Sequence, residues 1–264
     1  GAPAAMTLSG LSEQQARPVF RAVEAEIARL EQVFSLFRDG SEVSRLNRTG
    51  RLLMPSPDLL EVLSLSGRLN AATGGAFDPT IQPMWLALGQ GRDMHTARAL
   101  TGWRDLRFDT AEVRLARPGM AMTLNGVAQG YVTDRVAAVL RGHGLGNILI
   151  DVGEIAALGG RPDGQDWQAG IADPAGQLVH QVRLRDRALA TSAPLGTVLD
   201  QAGTLGHILD PRPGRQGAKR QLVSVSANRA AVADGLSTAL CLLEEPDARA
   251  AISAFPDARI EFFS

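Results

Sequence analysis

Three oxygen-bearing side chains stand at helical spacing near the end of the chain. They are Asp234, Ser237 and Thr238, within Ala231-Val232-Ala233-Asp234-Gly235-Leu236-Ser237-Thr238-Ala239-Leu240-Cys241. Residues at i, i+3 and i+4 share one face of an α-helix. If the stretch is helical, the carboxylate and both hydroxyls address one small volume. An all-oxygen cluster is the ligand chemistry of a hard cation such as magnesium. The same pattern also describes an ordinary helix start, in which an acid complements the positive end of the helix dipole. Within this stretch alone the ordinary reading is the stronger one.

Other residues that could do chemistry are scattered upstream, and each has a structural reading beside the functional one. Asp78, before Pro79, can fix a turn by accepting from backbone amides. Gly126 and Gly130 can be packing glycines. His207, in Gly206-His207-Ile208-Leu209-Asp210-Pro211, can be a satisfied structural histidine, and Arg212, Arg215, Lys219 and Arg220 a solvated basic loop. The single cysteine, Cys241, has no partner for an internal disulfide and reads as a small core residue. Four histidines and one cysteine argue against a zinc site of the usual ligand pattern.

The elements that must position these residues follow from periodicity and punctuation. Ala4 to Leu8 reads as a short strand. Ser12 with Gln15 resembles a capping box, and Val19, Phe20, Val23, Ile27, Leu30, Val33 and Phe34 continue with helical spacing. Ser41 to Asn47 is polar, a turn with a short helical piece. Ser56-Pro57 and Gly74 bracket a second helix, followed by the constrained loop Thr73 to Thr80. Leu106 to Leu115 reads as strand, with a turn at Arg117-Pro118-Gly119. Thr123 to Tyr131 leads into a helix that closes near Gly144. Strands are predicted over 147–152 (continued by Gly153-Glu154-Ile155 past a turn), 168–171, 179–184, 188–192, 222–225 and 259–263, with a short helix over 247–254. Helices and strands mix without regular βαβ alternation, which predicts a single α+β domain over residues 1–264.

Bulk properties exclude more than they assign. Of 264 residues, 45% are hydrophobic and 21% charged, as in an ordinary packed protein. Charge is balanced, 27 basic against 28 acidic, so nothing points to nucleic acid or an anionic membrane as partner. No run has the length of a transmembrane helix, and no apolar signal segment is present. The chain begins at Gly1 rather than methionine, so a processed or trimmed start is expected.

Taken in order, the segments Ser41 to Asn47, Gly75-Ala76-Phe77-Asp78-Pro79-Thr80, Asn125 to Tyr131, Ala190-Thr191-Ser192, His207 to Pro211 and Ala233 to Thr238 resemble the ApbE family of flavin transferases. The resemblance implies magnesium-dependent transfer of FMN from FAD to a threonine hydroxyl of a target protein, with release of AMP. It also leaves hydrolysis of FAD to FMN and AMP, or FAD binding without cleavage, as alternatives. The implied partner is an acceptor redox protein, membrane-bound, and the implied setting is periplasmic or otherwise exported. By position, Ala76, Phe77, Asp78, Thr123, Gln129 and Ile208 match FAD contacts. Gly126 (through its carbonyl), Asp234, Ser237 and Thr238 match metal positions. His207 is the candidate general base, since histidine ordinarily exchanges a proton near neutral pH.

The chain departs from the common family pattern at several places. Thr123, Asn125 and Gln129 stand where many relatives carry Asp, Gly and Lys. Asp151 to Ile155 is one residue shorter than the double-glycine version, as in a branch linked to nitrous-oxide reductase maturation. Ser192 is followed by Ala193-Pro194 in place of glycine, and Arg212 by Pro213 in place of threonine. Gln129 can hydrogen-bond FAD but brings no positive charge.

Overall fold

The computed structural model describes residues 5–8, 11–199, 205–212 and 217–264. Ala4 of the first predicted strand, and Pro213 and Arg215 of the predicted basic loop, lie outside them. In chain order the elements are β1 (Ala5–Leu8), α1 (Glu13–Phe34), α2 (Glu42–Thr49), β2 (Arg51–Leu53), α3 (Pro57–Ala72), α4 (Gln82–Gly89), α5 (Met94–Ala99), β3 (Leu106–Phe108), β4 (Glu112–Leu115) and α6 (Ala128–Gly142). They continue with β5 (Ile148–Asp151), β6 (Ile155–Leu158), β7 (Trp167–Ala172), β8 (Leu178–Leu184), β9 (Ala188–Ser192), β10 (Val223–Ala227), α7 (Ala230–Leu240), α8 (Glu245–Ser253) and β11 (Arg259–Phe263). The class is α+β, as predicted.

Local chemistry sets the helix starts. Ser12 and Gln15 form the full capping box at α1, each accepting from the other's backbone N–H. Ser41 caps α2 and Ser56 caps α3, where Pro57 takes the first-turn position. The predicted strand over 106–115 is a hairpin, β3 pairing antiparallel with β4, and β4 pairs on its other edge with β2. Neither β2 nor α4 and α5 is foreseen from the sequence. β2 has three residues, α5 has six, and α4 is apolar nearly all round, so none carries a readable period.

The main sheet runs β1-β5-β6-β9-β10-β11, every neighbouring pair antiparallel. Alternate residues of a strand face opposite sides, and here both sides are covered. Ala156, Leu158 and Ala188 pack in one cluster with α6 residues Val136 and Leu140. Ala157 and Leu189 pack on the other face with Ile171, Val182 and Leu184 of the separate β7–β8 ribbon. β10 shows why its Val-Ser alternation is buried throughout. Val223 and Val225 join the largest core with α7, while Ser224 bonds Thr191 and Ser226 bonds Glu261 on the far side.

The helices α6 and α7 lie against each other and cap one another. Asp134 of α6 accepts from the N–H groups of Ala230 (2.6 Å) and Ala231 (3.2 Å), the first turn of α7. Asp234 of α7 accepts from the N–H of Gly130 (2.9 Å), in the first turn of α6. Neither helix has a side-chain cap at its own N-cap residue. The close approach requires glycine: a Cβ on Gly130 would lie 2.4 Å from the Ala230 carbonyl oxygen and 2.7 Å from the Ala231 Cα. Backbone cannot yield as a flexible side chain does. Gly130→Ala is therefore expected to destabilise the protein by about 2–3 kcal/mol, the scale of overpacking in a dense core, and a chemical denaturation series would show it as a lower midpoint.

Candidate functional site

α7 is buried along almost its whole length, and of its residues Thr238 alone is left partly exposed. Its apolar residues pack against α3, β9 and β10, which turns the polar face toward the start of α6. Asp234 is 4% exposed. Its Oδ2 takes the Gly130 N–H, and among the described residues nothing donates to Oδ1. The reading of Asp234 as a cap for its own helix start is overturned: α7 begins at Ala230, Asp134 caps it, and Asp234 caps α6 instead.

The turn before α6 meets this face. A Cβ on Gly126 would lie 3.1 Å from Thr238 Oγ1 and 3.0 Å from its Cγ2, so Gly126 and Thr238 are immediate neighbours across 112 positions of sequence. Ser237 is fully buried, and its hydroxyl donates to the Asp234 carbonyl oxygen at 3.0 Å. β9 ends here too. Ser192 Oγ lies 2.8 Å from Ser237 Oγ and 3.4 Å from Thr238 Oγ1. The structure thus gathers Gly126, Asp234, Ser237 and Thr238, and adds Ser192, which the sequence reading placed in a motif without a role.

The loop that carries Ala76, Phe77 and Asp78 borders the same turn, since the Thr123 N–H donates to the Pro79 carbonyl at 2.8 Å. Its side chains are committed to structure. Ala76 and Phe77 are buried in the main core, beside Ile208 in the same cluster. Asn70 donates to the Phe77 carbonyl, and Thr73 accepts from its N–H. Asp78 accepts from Thr80 N–H (2.9 Å), Thr80 Oγ1 (2.7 Å) and Trp103 N–H (2.9 Å), so the turn-fixing reading of this acid holds. Thr123 accepts from the Asn125 N–H at 3.2 Å and shapes the turn into Gly126. Asn47 sets the height of that turn by pairing with Met122 in both directions, at 2.8 and 2.7 Å.

Gln129 is exposed, its amide makes no hydrogen bond among the described residues, and it lies against the β5–β6 turn. A Cβ on Gly153 (φ 112°) would be 3.2 Å from its Nε2. The next residue, Glu154, is the carboxylate that sequence reasoning left without a function. His207 sits partly exposed on the loop after β9, its Nδ1 3.1 Å from the Pro194 carbonyl and 3.2 Å from that of Thr197. The following stretch is braced from beneath. Arg212 makes a two-pronged pair with buried Asp210, and Arg98 donates to the carbonyls of Asp210, Pro211 and Arg212.

Charge at the cluster is one-sided. Burial pushes the Asp234 carboxyl above the ordinary range, the Gly130 hydrogen bond works against that, and Asp134 adds to it. Burial also raises Glu154 far above its usual value, with Asp234 and then Asp151 adding repulsion while a backbone hydrogen bond from Thr191 opposes it. Among the described residues, no arginine or lysine is among the groups acting on either. A buried carboxylate without a cation is costly. One carboxylate, a hydroxyl and an adjacent turn carbonyl form a donor set that suits magnesium, which takes few protein ligands and keeps waters.

A family model described as the ApbE family matches residues 3–262. A FAD:protein FMN transferase of Vibrio cholerae is 30% identical over 248 residues, covering 85% of this chain and 74% of the relative. The solved flavinyl transferase ApbE of Pseudomonas stutzeri is 28% identical and superposes with a TM-score of 0.79, covering 96% of this chain and 88% of its own. The flavin transferase ApbE of Vibrio cholerae superposes at 0.82 over 99% and 96% of the two chains, at 24% identity, a likeness of fold.

The raised Asp234 carboxyl has a consequence for stability. Its folded-state affinity for a proton exceeds that of the unfolded chain, so its protonated form favours the fold at low pH. That contribution is lost as pH climbs above the ordinary carboxylate range. In metal-free protein, Asp234→Asn is expected to melt above the wild type at about pH 8, the gap narrowing as pH falls and closing only near about pH 4. Thermal melts across that range, with chelator present, measure the difference.

Proposed function

The chain belongs to the ApbE family, and we propose that it transfers FMN from FAD to a threonine hydroxyl of an acceptor protein, with magnesium and with release of AMP. The observation that carries this reading is buried Asp234, with no basic group acting on it among the described residues, one helical turn from the Thr238 that meets Gly126. Asp234, Thr238 and the Gly126 carbonyl would hold the ion, with Ser237 beside them. Bound there, magnesium would neutralise phosphate oxygens and stabilise departing AMP.

The residues of the chain supply the rest. Helix N-termini favour phosphate, and the start of α6 lies at this cluster without a side-chain cap of its own. Gln129, with an uncommitted amide, is suited to hold FAD by hydrogen bonding. Ala76, Phe77, Asp78, Thr123 and Ile208 form and support the wall of the nucleotide site. Positioning and charge account for most of the catalysis of phosphoryl transfer. The acceptor threonine oxygen bonds the phosphorus on the riboflavin side, the bond from that phosphorus to the AMP oxygen breaks, and AMP leaves with the electron pair.

The threonine proton passes to His207. Carbonyl oxygens only accept, so the Nδ1 that faces Pro194 and Thr197 carries the ring hydrogen, and Nε2 keeps its lone pair for the incoming proton. The exported setting and the membrane-bound acceptor belong to the same reading and rest on family resemblance.

Incubation with FAD, Mg2+ and a threonine-bearing acceptor is expected to give a fluorescent flavin band on a denaturing gel and one AMP per flavin bound, both lost with EDTA. AMP without a band would replace transfer by hydrolysis, and intact FAD would leave a binding protein. His207→Gln is expected to lower turnover by about 10²–10⁴-fold, the usual worth of a general base, with FAD affinity nearly unchanged; equal turnover would remove His207 from the chemistry.

A further inference from the structure

Ser192 ends β9 beside this site, and elementary hydroxyl chemistry fixes the direction of its hydrogen bonds. A serine or threonine hydroxyl has one proton to give and lone pairs to accept with. Ser237 donates to the Asp234 carbonyl at 3.0 Å, and a carbonyl cannot donate back, so the Ser237 proton is spent. The 2.8 Å contact between Ser237 and Ser192 must then use the Ser192 proton. Toward Thr238, 3.4 Å away, Ser192 has only lone pairs left, so in that contact Thr238 is the donor.

Thr238 also differs from three other threonines in or at the end of helices in this protein. Thr49, Thr73 and Thr133 each donate to the carbonyl four residues back, at 2.9, 2.7 and 3.0 Å, the common arrangement for helical threonine. For Thr238 that carbonyl is Asp234's, and the Ser237 hydroxyl already occupies it. Thr238 is left facing Gly126 and Ser192.

We infer that Ser192 is a positioning residue for the cation ligand Thr238, the middle of a one-way chain from the Thr238 hydroxyl through Ser192 and Ser237 to the Asp234 carbonyl. The inference rests on the cation reading above. Coordination drains electrons from a hydroxyl oxygen and makes its proton a better donor, and Ser192 is the acceptor placed to receive it. Taking that proton sideways leaves the Thr238 lone pairs for the ion. Ser237 closes the chain, giving its proton to the Asp234 carbonyl while it accepts from Ser192. The 3.4 Å link is the weakest of the three, so it is the one that coordination would strengthen.

Titration of Mn2+ into the full chain without FAD, followed by loss of the free-ion paramagnetic signal, tests this. Groups that orient metal ligands are typically worth about 10–100-fold in affinity. Ser192→Ala is expected to weaken binding by about 10-fold or more, and Ser192→Thr, which keeps the hydroxyl, to stay within about 3-fold of wild type. Turnover at saturating Mg2+ should change much less than the Mg2+ concentration that gives half-maximal rate. Adding Ser237→Ala to Ser192→Ala should cost little more, since both break one chain. Wild-type affinity in Ser192→Ala overturns the inference. So do equal losses in Ser192→Ala and Ser192→Thr accompanied by lower melting temperatures, which would make the role structural. A wild type that binds no Mn2+ overturns the cation reading itself, and the inference with it, before any variant is compared.

Discussion

The structure depends on two helices that cap each other. Asp134 of α6 serves the first turn of α7, and Asp234 of α7 serves the first turn of α6. Helix ends leave four N–H groups without partners, and an end buried in a core must have them met. Here each helix meets the need of the other with a carboxylate. The pair closes only because Gly130 lets backbone approach backbone. Everything at the candidate site inherits its geometry from that contact: Gly126 lies in the turn just before α6, and Ser237 and Thr238 follow Asp234 by one turn.

This arrangement explains why Asp234 tolerates so hostile a place. Its carboxylate is buried, is repelled by Asp134 and has no basic partner among the described residues. One oxygen is fixed by Gly130, and nothing among the described residues donates to the other. Structure and chemistry therefore draw on the same side chain, so changes at Asp234 mix effects on folding with effects on binding. Ser192 and Glu154 differ, since they border the cluster without holding the helices together.

Much of the site was legible in the sequence because its spacing is local. Asp234, Ser237 and Thr238 share a face through helical periodicity alone, and α1 and α3 announced themselves through capping residues and apolar repeats. Family resemblance then placed Gly126 beside them, which no spacing rule could do across so long an interval. What stayed hidden depended on contacts between distant elements. Ser192 enters through the end of β9, Glu154 through the register of β5 and β6, and the reciprocal caps through the packing of α6 on α7. The ordinary reading of Asp234 was half right, since it caps a helix other than its own. β2, α4 and α5 were unreadable for a simpler reason: short or uniformly apolar segments carry no period.

The pairing of Asn47 with Met122 bears on how the molecule acquires its site. It joins positions 75 residues apart, and the Gly130–Asp234 bond joins positions 104 apart. Contacts of such separation must meet the entropy of closing long loops before they return any stability, so they form late and slow folding. The helices and hairpins can form from local contacts, but the turn at Gly126 gains its place only when both ends of the chain are docked. The cluster is thus expected to be among the last features to assemble. A chain emerging from synthesis lacks Asp234, Ser237 and Thr238 until α7 has been made, so the chemistry proposed for this cluster can begin only with the finished fold.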